Sequence, residues 1–459
     1  MSSRLCWAPA AVALTVAACA SPKPDLYHEL RAAAAEHEHP DIHLGEDDGA
    51  DPFDGAEELS REALIEAALL RNLHIEANRQ AVLEALAAVP EAVTLDDPML
   101  SYSIAPLSPF DRDVRFGQEI MLSQRLPWPG KRRARGEAAT ARAEASQSDY
   151  LVAKLDFALA AARLYDDYPR VTRTLEINEV HLDLLEDAQA SARAEFEAGR
   201  ATLQDPLQAE VEAAHLRHRQ LALRGELDEL IARINGLLHR RQDHPLPPPA
   251  PRQVPAPIRG SLQRLIAEAL ETRAELTGRE AEMRAEQASL DEARRDYYPD
   301  IGVSASYNNM WDHLSHQLMV GLSLNLPVWR GARAAGVDRA QARLERARLL
   351  RDHASAEITA EVVASHRRVE EGFHVVHHYR NQIIPASEDR VDAAHAGFLA
   401  GELSFYAVID ALRALRTHEL EYEEHLATLY QRLAALERAA GRIPGLRVVP
   451  GDQETLHGH

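Results

Sequence analysis

Histidine and carboxylate are the side chains here whose types and spacing could do chemistry. Of 22 histidines, His37, His39 and His43 crowd an acidic stretch, while His374, His377 and His378 cluster far downstream. His374 and His378 stand four residues apart, so on a helix they share one face, a spacing that can hold Zn²⁺ or Cu²⁺. The competing reading is a set of solvated imidazoles, the commoner state of such pairs. His37, His39, His43, His374 and His378 are therefore weak candidates for cation capture, and no tight metal site is assigned. The two cysteines stand at positions 6 and 19 and there are only six methionines, which disfavours a thiolate or thioether relay. No His-Glu-x-x-His or Gly-x-Ser-x-Gly run and no Gly-rich phosphate loop occurs. Paired carboxylates abound, but on repetitive helical patterns they mark a wet face. The chain reads as a non-enzyme without a cofactor.

The elements that must position these groups come twice. Leu-Ser-Gln-Arg-Leu-Pro at Leu122–Pro127 returns as Leu-Ser-Leu-Asn-Leu-Pro at Leu322–Pro327. Each copy ends a period-two pattern and leads at once into a long Ala/Arg/Glu-rich helical pattern. Leu100, Tyr102 and Ile104 alternate with Ser101 and Ser103; after a loop with Pro106, Pro109 and Asp111, alternation resumes from Phe116 to Leu126. Ile301, Val303, Ala305 and Tyr307 form a third strand and Leu318, Val320, Leu322, Leu324 and Leu326 a fourth. The pairs span about 99–126 and about 300–327, and strands of about ten residues suit a tilted span of a bilayer. The alternative is a pair of half-buried hairpins in a soluble sheet. Four strands cannot close a membrane barrel, which needs about eight. Open edges in lipid would leave backbone groups unpaired. In a membrane, several chains must therefore share one barrel, and three chains supply twelve strands.

The helices are long. A first pattern runs from Leu59 to Val89 and should end at Pro90. Gly130–Ala198 is interrupted only near Pro169, and Thr202–Arg240 follows as its antiparallel partner. Gly331–Ala400 breaks near Pro385 and is followed by Leu403–Ala440. Phe196–Leu203 and Phe398–Phe405 are matching turns. In them Gly199 and Gly401 fit the helix-ending position that demands positive φ, and Thr202 and Ser404 are natural N-caps. The Pro-rich stretch His244–Pro257 separates the halves.

The formal net charge of −21, with no basic domain to offset it, excludes a nucleic-acid partner. Arg4 and the apolar run Leu5–Ala18 form an export signal too short to span a bilayer. Val16-Ala17-Ala18-Cys19 resembles a bacterial lipobox, which would leave Cys19 as an N-terminus carrying a diacylglycerol. The organisation is then a signal peptide over 1–18, an acylated acidic and His-rich linker over 19–56 and a first repeat over 57–243. A Pro-rich linker over 244–257, a second repeat over 258–441 and a tail over 442–459 complete it.

The junctions Leu126-Pro127-Trp128-Pro129-Gly130-Lys131-Arg132 and Leu326-Pro327-Val328-Trp329-Arg330-Gly331, with the two Phe-x-Ala-Gly turns, resemble those of TolC-type outer-membrane efflux factors. The Leu-Pro-Trp-Pro-Gly-Lys-Arg run and the His-rich linker look most like the heavy-metal, CusC/CzcC branch of that family. The resemblance covers about Glu57 to Gly441. It implies a mixed, mainly α fold: a homotrimer whose antiparallel helical hairpins form a periplasmic α-barrel below a shared twelve-stranded outer-membrane β-barrel.

The resemblance also implies partners, namely a periplasmic membrane-fusion adaptor, an inner-membrane pump of the RND type and outer-membrane lipid. The substrate expected is heavy-metal cations; the alternatives are multidrug or organic-solvent efflux, or a periplasmic coiled-coil scaffold or metal-buffering lipoprotein. Carried onto this sequence, Gly199, Arg200, Thr202, Leu203, Gly401, Leu403 and Ser404 would dock the adaptor. Asp205 and Asp410 would ring the periplasmic gate. Ala407 stands where the family often has a first Asp, which points to Glu402 as a substitute. The basic residues Arg125, Lys131 and Arg132 have only Asn325 and Arg330 as counterparts, so a ring of junctions should alternate in charge.

Overall fold

The computed structural model describes residues 52–105, 117–256, 261–309 and 317–445. The export signal, Cys19, His37, His39, His43, the Pro106–Asp113 loop and the tail beyond 445 lie outside the described residues.

Each repeat opens with a broken helix. α1 (Arg61–Arg71) and α2 (Leu73–Val93) are matched by α5 (Leu262–Thr272) and α6 (Ala274–Arg295). Ser60 and Ser261 cap the starts, accepting from the N–H of Ala63 and Arg264. Asn72 and Arg273 make the breaks in extended conformation. One helix was expected from Leu59 to Val89. Instead the Asn72 Oδ1 accepts from the N–H of His74 and Ile75 at 2.9 and 3.2 Å, so it closes one helix and caps the next. Pro90 does not end α2, because in the last turn it removes one donor and leaves the turns before it intact.

Strands β1 (Met99–Ile104), β2 (Gln118–Leu126), β3 (Ile301–Asn308) and β4 (Leu318–Leu324) form one antiparallel sheet in that order. Strand β4 stops short of Leu326. The repeats meet at the β2–β3 pair, where Leu122 faces Ala305 and Ile120 faces Tyr307. The register sets Leu100, Leu122, Ala305 and Val320 in one cross-strand row and Tyr102, Ile120, Tyr307 and Leu318 in the next. The opposite face carries rows such as Ser101, Met121, Ser306 and Met319. It is closely packed, since a Cβ at Gly302 or Gly321 would collide with the hydroxyl of Ser323 or Ser304.

Helix α3 (Lys131–Glu197) is followed by α4 (Gln204–Leu237), and α7 (Arg330–His378) by α8 (Ile384–Leu399) and α9 (Phe405–Ala439). No interruption occurs at Pro169: α3 runs through it, and the buried neighbours Tyr165, Tyr168 and Val171 hold the helix across the missing hydrogen bond. Near Pro385 the expected break is a π turn, Tyr379–Ile383. There the Ile384 N–H donates to the carbonyl of Tyr379, five residues back. Helix α4 was expected to reach Arg240 and ends at Leu237, because His239 takes φ +53° where the second repeat has Gly441 at +78°.

The chain folds as two compact units, and each draws on both repeats. The first, 83–143 with 284–344, holds the sheet. In the second, Leu64, Ile65 and Ala68 of α1 bury against Ala158, Ala161 and Tyr165 of α3 and Ile234 of α4. Alanine at these contacts lets the helices approach closely at no cost in side-chain entropy. No helix among the described residues is long and apolar enough to cross a membrane.

Candidate functional site

The hairpin tips are the candidate site. Gly199 (φ +73°) and Gly401 (φ +75°) take the left-handed conformation expected of them. Arg200 N–H donates to Glu195 O and Gly199 N–H to Phe196 O; Glu402 and Gly401 repeat the pattern onto Gly397 and Phe398. These paired bonds close both helices the same way. Leu203 and Leu403 stand exposed just beyond. Beneath the tips Phe405, Val408, Ile409 and Leu412 of α9 bury with Leu185, Ala192, Ala209 and Leu216, so the two hairpins share one apolar seam.

The caps differ from expectation. Thr202 does not cap α4 with its side chain. Its hydroxyl and its N–H both donate to Asp205 Oδ2, at 3.0 and 2.9 Å, and the helix starts at Gln204. A carboxylate accepts both bonds better than a hydroxyl can. Ser404 occupies the N-cap position in extended conformation without a side-chain bond.

The gate candidates are also engaged. Asp205 is held by its own turn, and Asp410 forms an ion pair with Arg390 of α8. Glu402 stands exposed at the tip. Arg200 is pinned by two bonds to Glu195, at 2.6 and 2.8 Å. Arg390 was not singled out in the sequence, nor was Arg413, whose guanidinium bonds to Glu212 across the repeats and holds that carboxyl below its usual range. Glu212 lies 201 residues from Arg413, and Asp410 stands 20 residues from Arg390 on the following helix, so no helical spacing announces either pair.

His374 and His378 are exposed on α7, and among the described residues no three His, Cys, Asp or Glu side chains converge as a metal site. The expected charge of the first junction is largely cancelled. Asp300 receives Arg125 at 2.7 Å, Lys131 Nζ at 2.9 Å and the Trp128 N–H at 3.1 Å. Lys131 also pairs with Asp296 at 3.2 Å, and Arg132 donates to the carbonyl of Val93. Burial opposes ionisation of Asp300, but Lys131, Arg125 and the amide prevail and hold its carboxyl at about 2.

Residues 265–442 match the outer membrane efflux protein family. The cobalt-zinc-cadmium resistance protein CzcC of Cupriavidus metallidurans is 24% identical over 185 residues, 39% of this chain and 42% of that protein. The matched stretch thus spans about two fifths of the length of that curated relative. The crystal structure of CusC is similar with a TM-score of 0.72 and 17% identity, covering 88% of this chain and 99% of that one. VceC of Vibrio cholerae gives 0.70 and 17%, over 83% and 96%.

Proposed function

We propose that this chain is a member of the outer membrane efflux protein family and the outer-membrane channel subunit of a tripartite exporter of divalent heavy-metal cations. The observation that carries the channel reading is the sheet. Its two apolar rows face outward, with Val320 84% exposed, and β1 and β4 are left as open edges. Such a face in water would invite aggregation, whereas in lipid it is at home once the edges pair. Pairing β4 of one copy with β1 of the next closes a barrel, and three copies give twelve strands. The metal reading is supported by the name of the relative from Cupriavidus metallidurans, a cobalt-zinc-cadmium resistance protein.

In this reading the tips around Gly199 and Gly401 receive a periplasmic adaptor, and an inner-membrane pump supplies the energy. The channel conducts passively. Asp205 is bound within its turn and Asp410 to Arg390, so Glu402 is the carboxylate placed to form an acidic ring at the mouth. Cys19 carries the lipid anchor, a reading that rests on the Val16–Cys19 motif; Cys19→Ser should abolish incorporation of labelled palmitate.

The test of the whole reading is a deletion strain profiled against Zn, Co, Cd, Ni, Cu and Ag. Hypersensitivity to at least one, restored by the gene, is expected. Unchanged tolerance to all six would remove the metal assignment. Complete extraction of the protein by carbonate washing would remove the channel itself.

A further inference from the structure

The helices that flank the sheet follow the order of its strands. Arg132 of α3 donates to the carbonyl of Val93 at the end of α2, and Arg135 and Arg142 of α3 bond to Glu292 and Ser289 of α6. Arg351 of α7 in turn bonds to Glu280 of α6. The helix order is α2-α3-α6-α7, matching β1-β2-β3-β4. Helices α2 and α7 are thus left as outer edges, just as β1 and β4 are.

These two edges bear opposite charge. Residues 83–98, the end of α2 and its approach to β1, include Glu84, Glu91, Asp96 and Asp97, all exposed, and no basic residue. Residues 330–344, the start of α7, include Arg330, Arg333, Arg339 and Arg343 against one acid, Asp338. Arg330, Arg339 and Arg343 are exposed. Among the described residues, the side chains of Glu84, Glu91, Arg330, Arg339 and Arg343 make no ion pair or hydrogen bond, whereas Arg135 and Arg351 on the inner boundaries are paired. On α2, Val82, Leu86 and Val89 are buried, so Glu84 and Glu91, seven residues apart, share the face turned away from them.

We propose that the α7 edge of one copy docks on the α2 edge of the next, through an arginine–carboxylate clasp repeated at every subunit boundary. This rests on the trimer reading, in which β4 of one copy pairs with β1 of its neighbour. Such a contact is heterologous and closes when the ring closes. Five residues separate α2 from β1, and five separate β4 from α7. Arg339 is the tenth residue of α7 and Glu84 the tenth from the end of α2, so the seam sets them at matching depth. Exposed alanines beside them, Ala335 and Ala342 on α7 and Ala87 and Ala88 on α2, admit close approach. Exposed ion pairs add little affinity, but opposite edges select their partner: α7 against α7, or α2 against α2, sets like charges together.

Cysteine placement reads the contact directly. Outer membranes holding the full-length chain with Glu84→Cys and Arg339→Cys together, treated with a short bis-maleimide, should yield covalent dimers and trimers on denaturing gels. Either single variant should yield none. In parallel, Arg339→Glu with Arg343→Glu should lower the temperature at which the trimer dissociates on gels, and adding Glu84→Arg with Glu91→Arg should raise it again. A trimer that does not cross-link in the double-cysteine variant, or that the added pair fails to restore, would overturn the clasp and leave the shared barrel standing. A parent chain that forms no trimer would remove the barrel reading, and the clasp with it.

Discussion

Asp166 and Asp300 show how one residue type is driven in opposite directions. Asp166 of α3 is almost wholly buried, and burial pushes its carboxyl up to about 7 against the pull of Arg61 at 2.9 Å and of Arg252. Between an unfolded value of ~3.9 and 7, the folded state keeps a proton that the unfolded chain releases. Stability should therefore fall as pH rises through that window, and Asp166→Asn should flatten the slope. Urea unfolding at pH 5 and pH 8 checks this; equal slopes in parent and variant would count against it. Asp300 has the reverse sign. Its carboxyl is held at about 2, so its contribution is complete above ~4 and lost only as pH falls toward 2. Asp300→Asn leaves Lys131, 4% exposed, with only the more exposed Asp296 as an acidic partner. A loss of about 3 kcal/mol at neutral pH is expected from urea unfolding, partly recovered by adding Lys131→Met. The basic residues of that junction were plain in the sequence and their neutraliser was not, because Asp300 lies 175 residues from Arg125.

At the scale of elements, each helix pair ends alike. His239 and Gly441 both turn the chain left-handed, and Arg240 and Arg442 donate back to Asn235 and Glu437 in the same pattern. Glycine meets this conformation without strain, whereas histidine pays about 1 kcal/mol for it. His239→Gly should raise the thermal midpoint, with a gain of about 0.5–1 kcal/mol; a lower midpoint would show that the weak Leu73 N–H contact to the His239 ring matters more. The strands and the tip glycines were legible because alternation and a Gly after a helix are local signals. The breaks at Asn72 and Arg273 were not, since neither residue is a helix breaker by type and each break depends on what its side chain meets: in Asn72 the N–H groups of the next helix, in Arg273 the carboxylates of Glu275 and Glu361. The π turn falls between. Pro385 announced a fault in the helix, but not that it would be absorbed by a bond reaching five residues back.

For the whole molecule, the sheet's two faces make the sharpest demand. In the proposed trimer Val320 meets lipid, so Val320→Arg should cost about 2–4 kcal/mol and abolish the heat-modifiable trimer on gels. Ser101→Arg, on the opposite face, should leave that trimer in place. Equal behaviour of the two variants would mean that the apolar rows do not face a bilayer. The duplicated plan was readable from the repeated Leu-Ser-x-x-Leu-Pro. The division into two compact units, each assembled from both repeats, was not, because it follows the pairing of β2 with β3 rather than chain order.

That same pairing sets a timetable for assembly. Few residues of sequence separate β1 from β2, and β3 from β4, so each hairpin can form as soon as its second strand is available. The β2–β3 ladder must wait until about 175 further residues have followed, including both arms of the first helical hairpin. The first hairpin therefore keeps its apolar face unjoined until β3 arrives, and closure of the four-stranded sheet is a late event.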